Sequence, residues 1–235
     1  MSNQTKPKIA LKVSELFTDH MVLQQKQEVD FWGEYTPGEE LTLSGSWGAE
    51  ISTNSDTSGN WKMKLTTPEA GGPYFIKIVA RDSTIVIEDV LVGEVWLASG
   101  QSNMEMPLKG WPPNDPILNS DQEISQANYP AIRILTIEKN LSSTPQNFMK
   151  GKWTSVSSET VSDFSATAYF FAQKLHQELK VPIGILHSSW GVSAAEAWVS
   201  KAGLEKLMDF EKSIKTLEIP IHSGLQWSSQ EDMIN

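Results

Sequence analysis

Ser102 follows an apolar, β-prone run (Val95, Trp96, Leu97, Ala98) that stops abruptly at Ser99-Gly100, and it stands between two amides, Gln101 and Asn103. A serine at the end of a buried parallel strand, on a tight turn opened by glycine, is where the nucleophile of an α/β hydrolase stands. The strand fixes the backbone, Gly100 permits the turn, and Ser102 is presented at the sheet's carboxyl edge. The same residues also make an ordinary strand-to-loop turn rich in Ser, Gly and Asn. On this segment alone both readings stand.

A second segment, Val181 to Trp198, has a strand ending in Ser188-Ser-Trp-Gly191 and a short turn leading to a helix that holds Ala194-Ala-Glu-Ala-Trp198. If both strands lie in one parallel sheet, their carboxyl edges meet. Gly191 then brings a backbone N–H close to substrate with no side chain in the way. Paired with the N–H of Ser102 it makes an oxyanion hole, each donor worth roughly 3–4 kcal/mol of barrier in acyl transfer. Gly191 also reads as a helix-entry glycine, and Glu196 as a helix-start carboxylate satisfying the local dipole.

The elements that would position these residues fall into two blocks. Residues 8 to about 92 alternate as short strands between turn clusters (Pro37-Gly38, Pro68 to Pro73, Arg81-Asp-Ser), the pattern of a sandwich. After Gly93, strand-like and helical runs alternate, which predicts a parallel sheet with helix crossovers. Ile117 to Asn128 reads as a short helix. Ser162 to Leu179 is the best helix, with Phe164, Ala168, Phe171, Ala172 and Leu175 on one face, Ser162 as N-cap and Pro182 past its end. The expected domains are therefore a β-sandwich over residues 1–92 and an α/β domain over 93–235.

Composition narrows the chemistry. The 235 residues carry a net charge of −10 and no run of Lys or Arg, which argues against nucleic acid and an anionic membrane surface as partners. The absence of cysteine removes disulfides, thiolate catalysis and cysteine-held metals. No apolar stretch reaches the roughly 18 residues of a membrane span. The polar N-terminus lacks a signal-peptide core. The expected location is periplasmic or secreted with the signal removed, or else cytoplasmic. Nine tryptophans suit sugar stacking, although large core residues account for most such counts.

Gly100-Gln-Ser-Asn-Met104, preceded by Val-Trp-Leu-Ala-Ser, resembles the nucleophile segment of the sialate O-acetylesterases, SGNH-type hydrolases akin to some acetylxylan esterases. Leu16 to Gln24, Gly59-Asn-Trp61, Ala70 to Tyr74, Phe164 to Leu179, Val181 to Gly184 and Ser188 to Trp198 extend the resemblance over most of residues 8–200. It implies an SGNH-type (flavodoxin-like) parallel sheet after an N-terminal β-sandwich, an O-acetylated sugar as substrate, and no metal or organic cofactor. Ser102 would attack the acetyl carbonyl, the N–H groups of Ser102 and Gly191 would hold the oxyanion, and Gln101, Asn103, Trp190 and Glu196 would line or support the pocket.

Two departures stand out. Family members usually show Gly-Gly after the Ser-Trp pair, where this chain has Gly191-Val192, and a β-branched residue there would crowd the approach. The family also carries an Asp followed closely by the His that serves as base, together with a Gln-Gly-Glu-Ser-Asn-like block. None of His20, His176, His187 or His222 has an Asp three residues before it. The expectation is an N-terminal portion of a longer enzyme, inactive or weakly active alone, with an exposed sheet edge that favours a homodimer or aggregation. The competing reading is a non-catalytic carbohydrate-binding β-sandwich protein with a vestigial esterase segment.

Overall fold

In the computed structural model, residues 8–142 and 146–207 are described. They fall into two packed units. One is formed by residues within 1–139 and 147–191, and the other by residues within 140–146 and from 192 onward.

The first unit is built on strands. A three-stranded antiparallel sheet joins β1 (Lys12–Val13), β3 (Glu28–Glu34) and β6 (Asn60–Thr66). A second, eight-stranded sheet runs β10-β9-β11-β8-β7-β4-β5, with β2 (Val22–Gln24) paired to β8 off that path. Its members are β4 (Glu40–Gly45), β5 (Glu50–Asn54), β7 (Gly71–Ala80), β8 (Thr84–Gly100), β9 (Asn128–Thr136), β10 (Thr154–Ser157) and β11 (Ile183–Ser189). Clean alternation explains the local choice: in β6, Trp61, Met63 and Leu65 are buried while the residues between them face out. Phe31, Met63 and Leu65 from the small sheet share one core with Leu41, Leu43, Ile76 and Ile78 from the large one.

The large sheet changes character along a single strand. The first half of β8 pairs antiparallel with β7, while its last seven residues, Glu94 to Gly100, pair parallel with β11. The expected boundary at residue 92/93 therefore lies inside one 17-residue strand. β11 is parallel to β9 as well, so β8, β11 and β9 form the parallel core of the α/β part. β10 closes that edge antiparallel to β9.

Helix α3 (Ala166–Leu179) packs Ala168, Tyr169 and Ala172 onto Ile132, Ile134, Ile183 and Ile185 of this core. Its start corrects the sequence reading. Ser165, not Ser162, is the N-cap, and its hydroxyl accepts the Ala168 N–H at 3.2 Å. Phe164 precedes the helix. Phe171 is not on the buried face: it stacks edge-on against Trp96, and both rings are exposed. Tyr169 and Phe171 flank the same Ala168/Ala172 stripe on opposite sides, and it is Tyr169 that turns inward. The helix expected over 117–128 is shorter, α2 (Ser120–Gln126), because β9 already begins at Asn128.

The run Val95–Ala98, expected to be buried, is only partly so. Leu97 is 66% exposed. Among the described strands, this half of β8 has β11 as its sole neighbour, so one edge stays open. No described helix is long and apolar enough to cross a membrane.

Among its described residues the second unit contains a 3₁₀ turn at Ala195–Trp198, where the sequence suggested a helix, and a short helix, α4 (Lys201–Leu204). The Trp198 indole donates to the Ser193 hydroxyl at 2.8 Å.

Candidate functional site

β8 and β11 end side by side, with Ser189 opposite Gly100 in the parallel register. The Trp190 N–H continues the ladder one step further, donating to the Gly100 carbonyl at 3.0 Å. Gly100 has φ +146°, a conformation that a side chain disfavours. The chain then turns sharply into α1 (Ser102–Glu105), whose N–H groups at Met104 and Glu105 both donate to the Gln101 carbonyl at 2.9 Å. Ser102 is the first residue of that turn, so its own N–H has no partner within the helix. The two segments singled out by sequence therefore meet at one sheet edge.

Gly191 lies against Ser102. A Cβ built on Gly191 would stand 3.2 Å from Ser102 Oγ and 2.5 Å from Glu105 Oε2. The Gly191 N–H donates to the Glu105 carboxylate, whose other oxygen is paired with Lys139 Nζ. Lys139 Nζ also sits 5.3 Å from the Trp190 ring centroid, a cation–π distance. Burial pushes the Glu105 carboxyl up, but the Lys139 ammonium and the Gly191 N–H outweigh it and hold it below the usual glutamate range. An ionised carboxylate oxygen thus occupies the donor that an oxyanion would need.

Neither Glu105 nor Lys139 was singled out from sequence. Glu105 was readable, since it stands three residues after Ser102 and so shares its face of a helical turn. Lys139 carries no sequence signal, because only the fold returns it to α1.

The imidazoles are engaged elsewhere. His187 is buried, with Nε2 2.7 Å from Ser189 Oγ and 3.2 Å from the Met104 carbonyl, and Nδ1 3.3 Å from Thr136 Oγ1. Burial pushes it below the ordinary imidazole range, and the Met104 carbonyl and Glu105 offset only part of that. It is a wall of the site held neutral by desolvation. His20 pairs with Asp89 at 2.6 Å, and His176 bonds the Val181 carbonyl at 2.8 Å. Ser102 Oγ has no hydrogen-bond partner among the described residues, and His222 lies outside them.

The other predicted residues fall as follows. Gln101 and Asn103 flank Ser102 with exposed side chains, and the Asn103 carbonyl accepts the Thr167 hydroxyl at 2.8 Å. Trp190 is half-buried beside Lys139. Glu196 belongs to the second unit, in the first turn of its 3₁₀ segment. Val192 has φ +64°, a left-handed conformation that β-branched residues avoid, and its side chain is 63% exposed. Little burial is lost on truncation, so Val192→Gly is expected to raise stability by about 1 kcal/mol, strain relief less the entropy of an extra glycine. A lower melting temperature for that variant would show that the conformation carries no strain. Among the described residues, no group of three His, Asp or Glu is placed to hold a metal ion.

No family model matches the chain. Individual relatives do. The sialate O-acetylesterases of Pongo abelii and Homo sapiens are each 30% identical to it over 221 residues, 84% of this chain, and that of Mus musculus is 28% identical over 218 residues. A crystal structure of a carbohydrate acetylesterase from Xanthomonas citri superposes with a TM-score of 0.77 at 35% identity, covering 83% of this chain and 43% of that one. Over most of its length the chain is similar to sialate O-acetylesterases. It spans about 40% of the length of the curated relatives it matches. The likeness in structure is one of mixed α/β architecture with a large sheet.

Proposed function

We propose that the chain is the nucleophile-bearing part of a carbohydrate O-acetylesterase, with an N-terminal β-sandwich over residues 1–92 and the first part of an SGNH-type sheet over 93–235. The single observation that carries this is the convergence of Ser102 and Gly191 at the ends of neighbouring parallel strands, with Ser102 Oγ 3.2 Å from where a Gly191 side chain would begin.

In this reading Ser102 Oγ attacks the acetyl carbonyl of an O-acetylated sugar, and the N–H groups of Ser102 and Gly191 hold the oxygen as it becomes negative. The C–O bond to the sugar breaks, the sugar leaves as its alcohol, and water releases acetate from Ser102. Gln101, Asn103 and Trp190 line the approach. Glu105 must yield the Gly191 N–H to the substrate oxygen, and Lys139 remains to hold its charge. The Ser102 proton needs a base, and His20, His176 and His187 are committed to other partners. The reading therefore includes low turnover for this chain by itself.

The test is covalent labelling with a fluorophosphonate followed by peptide mass analysis. Label on the Ser102 peptide, absent in Ser102→Ala, supports the nucleophile. Equal labelling of both proteins would remove it.

A further inference from the structure

Glu105 ends α1 and turns its carboxylate toward the end of β11. One oxygen accepts the Gly191 N–H, and the other holds Lys139 Nζ. That N–H is the donor on which the esterase reading depends.

The contact is not what joins these segments. The Trp190 N–H already bonds the Gly100 carbonyl at 3.0 Å, and His187 Nε2 lies 3.2 Å from the Met104 carbonyl of α1. On its α3 side, α1 is tied by the Ala166 N–H on the Met106 carbonyl at 2.9 Å and by the Thr167 hydroxyl on the Asn103 carbonyl at 2.8 Å. Lys139 is placed independently too. The Ile137 N–H bonds the His187 carbonyl and the Glu138 N–H bonds the Lys150 carbonyl, each at 2.9 Å. A charged contact that the fold does not need acts on the N–H itself.

From this geometry we infer that Glu105 and Lys139 are positioning residues of the Ser102 site: Lys139 holds the carboxylate on the Gly191 N–H, and acyl transfer requires its displacement. The inference rests on the esterase reading above. A carboxylate accepts a hydrogen bond more strongly than a neutral ester carbonyl does. The exchange therefore runs uphill until negative charge develops on the substrate oxygen, and the pair sets part of the barrier.

The groups that face Glu105 are Lys139, from the segment after β9, and His187, from β11. Other ionisable groups nearby are turned elsewhere. Tyr169 on α3 bonds Glu123, Glu94 on β8 bonds Gln24 and Gln25, and Lys109 pairs with Asp163. Lys139 keeps the carboxyl ionised at neutral pH, so the contact is lost only when acid neutralises it.

Two measurements on the full chain test this. The first follows the Gly191 amide by ¹H–¹⁵N NMR from pH 7 to pH 3. The amide should titrate in the wild type, stay flat in Glu105→Gln, and titrate at a higher pH in Lys139→Met, where no ammonium favours the charged form. A merely structural role for Lys139 would not move that midpoint. The second is the rate of fluorophosphonate labelling of Ser102 at pH 7, with melting temperatures confirming the fold. Glu105→Gln should label about tenfold faster, since a neutral amide holds an N–H less strongly than a carboxylate and its own NH₂ is repelled by Lys139. A Gly191 amide that does not titrate, or Glu105→Gln labelled no faster than the wild type, overturns the inference and leaves the nucleophile in place. Labelling absent from all three proteins while the amide still titrates removes the esterase reading, and the inference falls with it.

Discussion

Gly191→Ala is expected to slow phosphonylation of Ser102 by about 10²–10³-fold, the usual effect of losing one oxyanion donor. The added methyl would stand 2.5 Å from Glu105 Oε2 and 3.2 Å from Ser102 Oγ. The carboxylate is the free end of a flexible side chain and can withdraw. Ser102 sits on the first residue of a helical turn anchored to β8 and cannot. The methyl therefore displaces the 191 backbone and takes its N–H off the reacting oxygen. Phosphonylation is a suitable readout because its transition state also places negative charge on an oxygen beside Ser102. The fold should survive, since Gly191 is itself partly exposed at a strand end. A variant that labels as fast as the wild type, with an unchanged melting temperature, would show that Gly191 does not serve the oxyanion.

Asp89→Asn is expected to cost about 2 kcal/mol of stability at pH 7, less than the 3–5 typical of a fully buried broken pair because Asp89 is a third exposed. Arg133 on β9 is 7% exposed at its side chain, and its guanidinium meets Asp89 Oδ2 on β8 at 2.7 Å, with Nε on the Pro130 carbonyl at 2.8 Å. Removing the carboxylate charge leaves the guanidinium buried with carbonyls alone. Asparagine suits the left-handed backbone at position 89 (φ +51°), so the change isolates charge from conformation. The double variant Asp89→Asn/Arg133→Met should recover most of the loss, since no charge then remains to be paired.

The pH dependence of that pair has a definite sign. The hydrogen bond from Arg133 holds the Asp89 carboxyl below its ordinary value, burial opposes this, and His20 adds to the lowering. The unfolded chain therefore binds this proton first as pH falls. The stability is complete above the unfolded aspartate value and is lost as pH drops through the folded one. Urea denaturation of the wild type and both variants between pH 7 and pH 3 measures this. An Asp89→Asn variant as stable as the wild type at pH 7 would show that the pair contributes nothing.

Much of the site's position was written in local residue order. A β-prone run broken at Ser99-Gly100 can only place Ser102 at a strand end, and Ile183 to Gly191 repeats that device, so two carboxyl ends were legible as candidates for one edge. The short strands of the first block were legible for the same reason: apolar residues two apart mark a half-buried strand whatever it packs against. The valine at position 192, where the resemblance implies glycine, was also visible, and the left-handed backbone there is one that glycine adopts without strain.

Local order could not say which side of α3 turns inward, since Tyr169 and Phe171 flank the same Ala168/Ala172 stripe and both are large rings. Nor could it say that β8 runs unbroken through Gly93, because strand pairing on either side is a property of β7 and β11. What lies around Ser102 was decided by tertiary structure alone. Lys139 reaches Glu105 across 34 residues, Gly191 across 86, and Arg133 reaches Asp89 across 44. Such pairs depend on how strands are ordered in a sheet, which a periodicity of two or of 3.6 residues does not encode. The sequence by itself determined that a serine and a glycine would each end a strand. Only the fold decided that the strands are neighbours, and that the Glu105 carboxylate on the turn after one accepts the Gly191 N–H at the end of the other.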